Sequence, residues 1–393
     1  MDLEKLISSR HELLESGGRD VLKKAYDFEI VEILKSFDIY PYFKEIEKNE
    51  GATAVINGKE VIMLGSNNYL GLTTHPEVRK TAAEAALEYG TSMTGSRFLN
   101  GTSRFHTELE MELAEFTGKE AGLVFTTGYQ ANLGVMTALL NENTKCVLDK
   151  FDHASIYDGC RMSGAEMITF RHNDGEDLDR ILSGIPQDCG ILVVVDGVFS
   201  MEGDIVKLDK IVQVVKKHGA RIMLDDAHGI GVVGEGGRGT AWKFGLTGEV
   251  DVIVGTFSKS LASIGGFVSA DYKTIEFIKH FGRSMIFSAS APPSAVAAAR
   301  TALRILKTEP RMVNKLHDNA ERLRNGLTKA GFDTGVSVTP IIPVTIGSEP
   351  VALCMARTLL DEGVFVNPVC YPAVPKKKAM LRTSVTALHT FRP

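Results

Sequence analysis

The sequence predicts an α/β protein with a mainly parallel seven-stranded sheet, helices on both faces of that sheet, and a small α+β C-terminal domain. Between residues 121 and 270, short apolar segments alternate with helical patterns, and most of these segments are apolar on both faces. Both features are typical of a parallel sheet covered by helices. The predicted strands are Ala121–Phe125, Lys145–Leu148, Glu166–Phe170, Ile191–Val195, Arg221–Leu224, Val252–Val254 and Gly266–Ser269. We expect a mixed edge strand near Gly266.

The chain before this region predicts an arm, a hairpin and two helices. Residues 1–50 are charged and favour helix, and we interpret them as an arm that packs on another surface, such as a second subunit. The apolar stripe of this arm consists of Leu3, Leu6, Leu13 and Leu14. Asn57-Gly58 is the strongest short signal for a β-hairpin. The spacing of apolar residues then predicts helices over Pro76–Tyr89 and Ser103–Phe116.

Pro292-Pro293 indicates a domain boundary, so we divide the chain into an arm (1–50), a large domain (51–291) and a small C-terminal domain (292–393). One long helical region is predicted from Ser294 to Gly331, and another helix is predicted to begin near Pro350. The expected strands of the small domain are Ile341–Ile346, Phe365–Val369 and Leu381–Val385.

Net charge, apolar runs and cysteine content indicate which partners and which compartment to expect. The net charge is −5, so the sequence predicts neither a nucleic-acid partner nor binding to an anionic membrane. No apolar run reaches the roughly 20 residues of a membrane span, and the charged N-terminus does not resemble a signal peptide. Five cysteines without a C-x-x-C pair favour a reducing compartment and argue against a zinc site. We therefore expect a cytoplasmic protein without a metal.

A lysine at the end of a buried strand is the most informative residue. Lys259 follows the apolar run 250–254, and Thr256 and Ser258 beside it offer hydroxyls suited to a phosphate. Such a lysine is costly to desolvate unless it has a partner or a covalent use. Upstream, Asp225 and His228 follow another buried strand. A lysine for a Schiff base, an acid for a pyridinium nitrogen and donors for a phosphate together predict a pyridoxal 5'-phosphate (PLP) site.

Three further polar strand ends fit this site. The turn containing Gly128 and Tyr129 opens a helix, whose N-terminal amides and dipole favour a phosphate. His153 could stack on a pyridine ring, and Asp196 and Ser200 could serve the cofactor. Each of these residues alone is more often structural, so the prediction depends on their number and order along the chain.

The segment Gly234-Glu-Gly-Gly-Arg-Gly239 matches the dinucleotide-binding pattern G-x-G-x-x-G. It does not lie at the first strand-to-helix turn of the fold, and the residues after it make a weak helix start. We interpret it as a flexible loop beside the active site rather than a nucleotide site.

Together these motifs resemble the α-oxoamine synthases, which are PLP-dependent enzymes of fold type I that condense an amino acid with an acyl thioester. The resemblance extends from about Tyr40 to Thr390, and its motifs appear in family order. They are Ser66–Leu72, Gly95–Thr102, Thr127–Asn132, Asp196–Asp204, Asp225–Gly229 and Thr256–Lys259.

The resemblance implies a role for each matching residue. Lys259 corresponds to the Schiff-base lysine, Asp225 to the partner of the pyridinium nitrogen, and His228 to the contact of the phenolic oxygen. His153 corresponds to the histidine that stacks on the ring. Arg382 corresponds to the arginine that binds the substrate carboxylate, assisted by an asparagine of Ser66-Asn-Asn-Tyr69, either Asn67 or Asn68, of which we favour Asn67. A homodimer with the active site at the subunit interface is also implied.

Within the family, the Gly95–Thr102 loop and the long arm are most similar to the serine palmitoyltransferase branch. That branch implies condensation of L-serine with a long-chain acyl-CoA or acyl-carrier protein. The 8-amino-7-oxononanoate synthase and glycine C-acetyltransferase branches are the alternatives; no arginine of the kind that pairs with a carboxylated acyl chain occurs near Tyr40. Two departures are expected to matter. Ala289 replaces a threonine that donates to the neighbouring subunit's phosphate in many relatives, and the family's C-terminal helix is absent, which suggests truncation.

The residues alone leave three other functions possible. An aminotransferase would share Lys259 and Asp225, although the Gly95–Thr102 loop disfavours it. A non-catalytic subunit is disfavoured because Lys259 is present. A Rossmann oxidoreductase rests only on the glycine-rich loop at Gly234.

Overall fold

The computed structural model describes residue 13 and residues 17–390. Three leucines of the predicted apolar stripe, Leu3, Leu6 and Leu14, lie outside these residues. The described strands are β1 (Lys48–Asn49), β2 (Thr53–Ile56), β3 (Lys59–Met63), β4 (Ala121–Phe125), β5 (Thr144–Asp149), β6 (Glu166–Phe170), β7 (Gly190–Asp196), β8 (Arg221–Asp225), β9 (Val252–Thr256), β10 (Gly266–Ala270), β11 (Ile341–Gly347), β12 (Val364–Phe365), β13 (Asn367–Val369) and β14 (Ala379–Ser384).

Helices connect most of these strands. They are α1 (Lys23–Tyr26), α2 (Ile30–Ser36), α3 (Pro76–Tyr89), α4 (Arg104–Thr117), α5 (Gly128–Leu139), α6 (Ala154–Ser163), α7 (Gly175–Ser183), α8 (Leu208–Lys217), α9 (Thr240–Lys243), α10 (Tyr272–Phe281), α11 (Arg283–Ile286), α12 (Pro293–Thr308), α13 (Arg311–Lys329) and α14 (Glu349–Asp361). No helix of the described chain has the length and apolar character needed to span a bilayer.

The seven predicted strands form one sheet in the order β4-β10-β9-β8-β7-β5-β6. Neighbours pair in parallel except around β10, which is antiparallel to both β4 and β9. The mainly parallel seven-stranded sheet is thus confirmed. The strand near Gly266 is antiparallel but is not at an edge, because β4 pairs along its outer side and becomes the edge strand instead.

Helices cover both faces of this sheet, as alternate residues of β5 show. Cys146 and Leu148 point into a core that includes Val135 and Ile156 of α5 and α6. Val147 points to the opposite face, into a core with residues of α7 and α8. A strand whose successive side chains enter two separate cores is apolar on both faces, as the sequence pattern indicated.

The C-terminal region differs from the prediction in two places. The long helical region is two helices, because Glu309 and Pro310 separate α12 from α13 and a proline interrupts the helical hydrogen bonds. The single strand expected over Phe365–Val369 is β12 and β13, which belong to different sheets. β13 joins a three-stranded sheet in the order β11-β14-β13, whereas β12 pairs in parallel with β3.

The hairpin is formed as predicted. β2 and β3 pair antiparallel across Asn57 and Gly58, whose φ angles of 51° and 70° match the turn that Asn-Gly favours. Because β3 pairs with β12, this hairpin is hydrogen-bonded to the C-terminal region. The domain boundaries at residues 50 and 291 stay predictions.

Asp226 organises the glycine-rich segment after β8. It is buried, and its carboxylate accepts hydrogen bonds from the backbone N–H and the hydroxyl of Thr240, each at 2.6 Å. Arg238, in the same segment, donates to the carbonyls of Glu115 and Phe116 and lies over the ring of Trp242 at 3.4 Å. The segment contains a short 3₁₀ turn at Glu235–Gly237 and does not form the strand-turn-helix unit of a dinucleotide site.

We expect Asp226→Ala to lower the free energy of unfolding by about 2–4 kcal/mol, because it leaves the buried amide and hydroxyl of Thr240 without an acceptor. Chemical denaturation at pH 7 measures this loss. Asp188→Ala, at an exposed position, is the control and should change the value by less than about 0.5 kcal/mol. Equal stability of the two variants would contradict a structural role for Asp226.

Candidate active site

A cavity of about 320 Å³ lies at the carboxyl ends of the parallel strands. Residues that follow or end β4, β5, β7, β8 and β9 all contribute to its wall, because these strands end at the same edge of the sheet. Among the predicted residues, those in the wall are Gly128, Tyr129, His153, Asp196, Asp225, His228, Thr256, Ser258 and Lys259. Asn67, Ser200 and Arg382 lie outside this wall.

Lys259 enters the cavity three residues after β9. Desolvation by the surrounding protein lowers the pKa of its amine to about 8, while Asp225 and Asp196 oppose this shift and Arg382 adds to it. A substantial fraction of the amine is therefore neutral near physiological pH. A neutral amine is the form that attacks a carbonyl group or accepts a proton.

Asp225 is held in place from two sides. Asn132 on α5 donates its side-chain amide to Asp225 Oδ2 at 2.7 Å, and the backbone N–H of Ala227 donates to Oδ1 at 3.0 Å. Asn132 also donates to the Ser155 hydroxyl at 2.8 Å. The carboxylate is buried, so these bonds fix its orientation inside the cavity. Asp226 points instead to Thr240, so Asp225 is the acid of this pair that faces the cavity.

His153 and His228 are both neutral near pH 7. His153 caps α6, and its Nδ1 lies 2.7 Å from the Ser155 hydroxyl, which links it through Asn132 to Asp225. Desolvation lowers the pKa of His153, and it lowers the pKa of buried His228 well below the usual value, with Lys259 adding to both shifts. His228 Nδ1 lies 2.8 Å from the hydroxyl of Tyr69.

The start of α5 forms another part of the wall. Thr127 caps this helix by accepting from the backbone N–H of Gln130 at 3.1 Å. A Cβ at Gly128 would lie 2.9 Å from Thr256 Cβ, so glycine permits the close approach of the helix to the end of β9. The Thr256 and Ser258 hydroxyls lie 2.9 Å apart. The Tyr129 hydroxyl donates to Asp158 at 2.6 Å.

Arg382 on β14 reaches the site beside His228. It is buried, and it donates to the Ser200 carbonyl at 2.6 Å, the Ser384 hydroxyl at 3.1 Å and Asn67 Oδ1 at 3.1 Å. Asn67 in turn accepts from the Tyr69 hydroxyl at 3.2 Å. Ser200 thus contacts the arginine through its backbone rather than the cavity through its hydroxyl.

The structure distinguishes the two asparagines that the motif left open. Asn68 is buried and donates to the Thr73 hydroxyl at 2.8 Å, whereas Asn67 contacts Arg382. Asn132, Ser155 and Tyr69 were not identified as site residues from the sequence. Asn132 and Tyr69 do lie inside the quoted motifs Thr127–Asn132 and Ser66–Leu72, but nothing in the sequence indicates where their side chains point. No cluster of three or more histidine, cysteine or acidic side chains suited to a metal occurs among the described residues.

Comparison with known proteins agrees with this geometry. The family model for aminotransferase class I and II matches residues 59–391. A serine palmitoyltransferase of Sphingobacterium spiritivorum is 47% identical over 93% of this chain and 91% of its own length. An 8-amino-7-oxononanoate synthase of Thermoanaerobacter pseudethanolicus is 45% identical over 92% of each chain. A solved structure of SPT with a PLP internal aldimine has a TM-score of 0.91, with 42% identity and 95% of each chain covered.

This chain belongs to the α-oxoamine synthases. Its fold is therefore that of the PLP-dependent enzymes of fold type I, and PLP is the cofactor of the family. The residues present fit that cofactor. The cavity combines an amine of lowered pKa, a buried carboxylate fixed by two donors, and a helix N-terminus with two hydroxyls beside it. These are the groups needed for the aldehyde, the ring nitrogen and the phosphate, respectively.

We expect the rate at which PLP-free protein takes up PLP to rise with pH and to reach half its plateau near pH 8, because only the neutral form of a lysine amine attacks an aldehyde and the pKa of Lys259 is about 8. Stopped-flow absorbance measures this rate. Nα-acetyl-lysine mixed with PLP is the control, since its amine has the ordinary pKa of about 10.4. A midpoint near pH 10 for the protein would contradict a lowered pKa for Lys259.

Proposed function

We propose that this protein catalyses the decarboxylative condensation of L-serine with a long-chain acyl-CoA to give an α-amino ketone, 3-ketodihydrosphingosine. The proposed activity is that of a PLP-dependent C-acyltransferase in sphingolipid synthesis. The similarity to serine palmitoyltransferases over nine tenths of the chain supports it.

The observation that carries the proposal is that Arg382 is a buried cation with neutral hydrogen-bond partners. Its guanidinium is buried, yet no carboxylate of the described residues forms an ion pair with it. Three of its N–H groups donate to neutral protein atoms, and the Tyr69 hydroxyl beside it is neutral as well. A buried cation without an anionic partner is costly, and an anionic ligand removes that cost. We therefore assign Arg382 and Asn67 to the carboxylate of the amino acid.

The remaining roles follow from the positions of the side chains. PLP supplies an electrophilic aldehyde and a ring that withdraws electrons from the substrate α-carbon. Asp225 holds a proton on the ring nitrogen, because its buried carboxylate favours the charged form of that nitrogen. Lys259 Nζ removes the α-proton of the amino acid and returns a proton after CO₂ is lost. His153 would cover one face of the ring, and His228, held by its contact with the Tyr69 hydroxyl, would contact the phenolic oxygen.

We further propose that the acyl donor is a CoA or acyl-carrier-protein thioester and that two copies of the chain form the complete site. Several exposed apolar side chains support the second part of this proposal: Phe98, Leu99, Ile264 and Phe287. Ile264 is also part of the cavity wall. Ala289 forms a β-bridge with Ser96, and its carbonyl accepts a hydrogen bond from the Thr126 hydroxyl. Its methyl side chain offers no hydroxyl to the phosphate of a neighbouring subunit. We assign the reaction to the cytoplasm, which the pattern of cysteines supports.

The 8-amino-7-oxononanoate synthase activity is the second candidate, because relatives of that class are about equally similar. Release of CoA distinguishes the two. We expect turnover with L-serine and palmitoyl-CoA, and little turnover with L-alanine and a CoA thioester whose acyl chain ends in a carboxylate. The reverse preference would overturn the proposal in favour of the second candidate.

We expect Lys259→Ala to reduce turnover by about 10³-fold or more, because it removes both the covalent attachment and the base. The variant should still bind PLP non-covalently through Asp225 and the start of α5. CoA release measures turnover, and dialysis followed by mass spectrometry of the protein distinguishes bound from covalently attached PLP. Full turnover in this variant would contradict the mechanism.

We expect Asn67→Ala to raise the KM for the amino acid about tenfold, because Arg382 loses the contact that orients it. Asn68→Ala is the matched control. Its side chain bonds to Thr73, so this variant should lower the melting temperature and change the KM less than twofold. Equal KM values for the two variants would contradict the assignment of Asn67 to the substrate.

A further inference from the structure

His172 lies just after β6 and outside the cavity wall. Its imidazole is held between two aromatic rings, with centroids 4.6 Å from Phe151 and 4.4 Å from Phe199. About a fifth of the side chain is exposed, in a surface groove that shares no lining residue with the cavity of Lys259. The proposed mechanism gives this residue no role.

Both ring nitrogens of His172 face carboxylates. Nδ1 lies 3.0 Å from Asp149 Oδ1, and Nε2 lies 3.2 Å from Asp204 Oδ2. An ionised carboxylate only accepts hydrogen bonds, so both nitrogens must carry protons and the ring must be a cation. Burial alone would lower the pKa of His172, but the hydrogen bonds to Asp149 and Asp204 outweigh it and raise the pKa to about 9.

Asp149 belongs to the turn that carries His153. Its Oδ1 accepts from the Phe151 amide at 2.9 Å, and its own amide donates to Asp152 Oδ2 at 3.0 Å. Asp152 Oδ1 accepts from the amide of Asp196 at 2.8 Å, which ties the turn to the end of β7. His153 is the next residue after this turn.

Asp204 belongs to the segment that holds Arg382. Its carbonyl accepts from the Phe199 amide at 3.1 Å, which closes the loop 199–204. Within this loop, the Ser200 carbonyl accepts from Arg382 and the Gly203 carbonyl accepts from the Thr339 hydroxyl at 2.9 Å. The loop is therefore the contact between the end of β7 and the C-terminal region.

We propose that His172 is a positioning residue whose cationic ring joins the His153 turn to the Arg382 loop. It sets the distance between the histidine that faces the cofactor and the arginine that faces the substrate carboxylate. The part of this proposal that concerns Arg382 rests on the proposed function. The part that concerns His153 rests only on the PLP site of the family.

The test compares His172→Gln with His218→Gln. His218 is a matched control because it is similarly buried and contacts Asp179 at 2.5 Å, but it touches neither the His153 turn nor the Arg382 loop. Two dissociation constants are measured by absorbance well below the melting temperature: that of PLP for the PLP-free protein, and that of the amino acid for the PLP-loaded protein. L-Serine, L-alanine and glycine are all titrated.

We expect His172→Gln to raise both constants about tenfold or more and His218→Gln to change them less than twofold, even if both variants lose similar thermal stability. Asp204→Asn, which keeps the shape of the side chain but removes its charge, should raise the amino-acid constant in the same direction. It also replaces His172→Gln as the test if that variant does not fold. Combining the two changes should have an effect smaller than the sum of the separate effects, because both break the contact between His172 and Asp204.

Binding by His172→Gln that matches the control in both titrations would overturn the inference, and so would fully additive effects in the double variant. If the unaltered protein binds PLP but none of the three amino acids, the proposed function fails instead. The PLP constant then still decides whether His172 positions the His153 turn.

Discussion

The balance of charge around Lys259 is the constraint on which the site depends. A lysine amine in a cavity loses solvation, and the carboxylates of Asp225 and Asp196 restore only part of that loss while Arg382 opposes them. Both the cationic and the neutral form of this amine are therefore populated near neutral pH. Removing either acid would lower the pKa further, and removing Arg382 would raise it. The three charges therefore act together, although they come from β7, β8 and β14.

Backbone amides stabilise the acidic side chains that lie close together around the cavity. Asp149, Asp152, Asp196 and Asp225 all end or follow parallel strands, so they meet at one edge of the sheet. Burial and mutual repulsion raise the pKa values of Asp152 and Asp196 well above the usual range, while amides of Asp196 and His153 donate to them and oppose the rise. The cation of His172 lies behind this group, against Asp149 and Asp204. The same edge thus supplies both the carboxylate that faces the cavity and the frame that holds it.

Most of the fold could be predicted because local patterns decide it. The strands of the large sheet send side chains into cores on both faces, so their sequences are apolar runs that can be recognised. The Asn57-Gly58 turn follows from backbone geometry alone. Apart from the helix break at Pro310, the errors occurred where the pairing partners of strands decide the structure. Nothing in Gly266–Ala270 indicates that Ala121–Phe125 pairs along its outer side, and nothing in residues 364–369 indicates that two short strands join different sheets.

The same distinction applies to the site. Residue type and order along the chain were enough to predict one site at the strand ends, because PLP chemistry needs such groups there. The structure brings Lys259, Asp225, His153 and His228 to the wall of one cavity, and their roles stay predictions. Side-chain direction needed the tertiary structure. Asp225 and Asp226 are adjacent in sequence, as are Asn67 and Asn68, and in each pair one member faces the site while the other bonds to a nearby threonine. From the sequence, Arg382 is an ordinary arginine on a late strand. Only the packing around it shows a buried cation that has no carboxylate partner in the described part of the chain. The reason is physical: a strand or turn sends neighbouring side chains in different directions, and the partners they meet are far away in the chain.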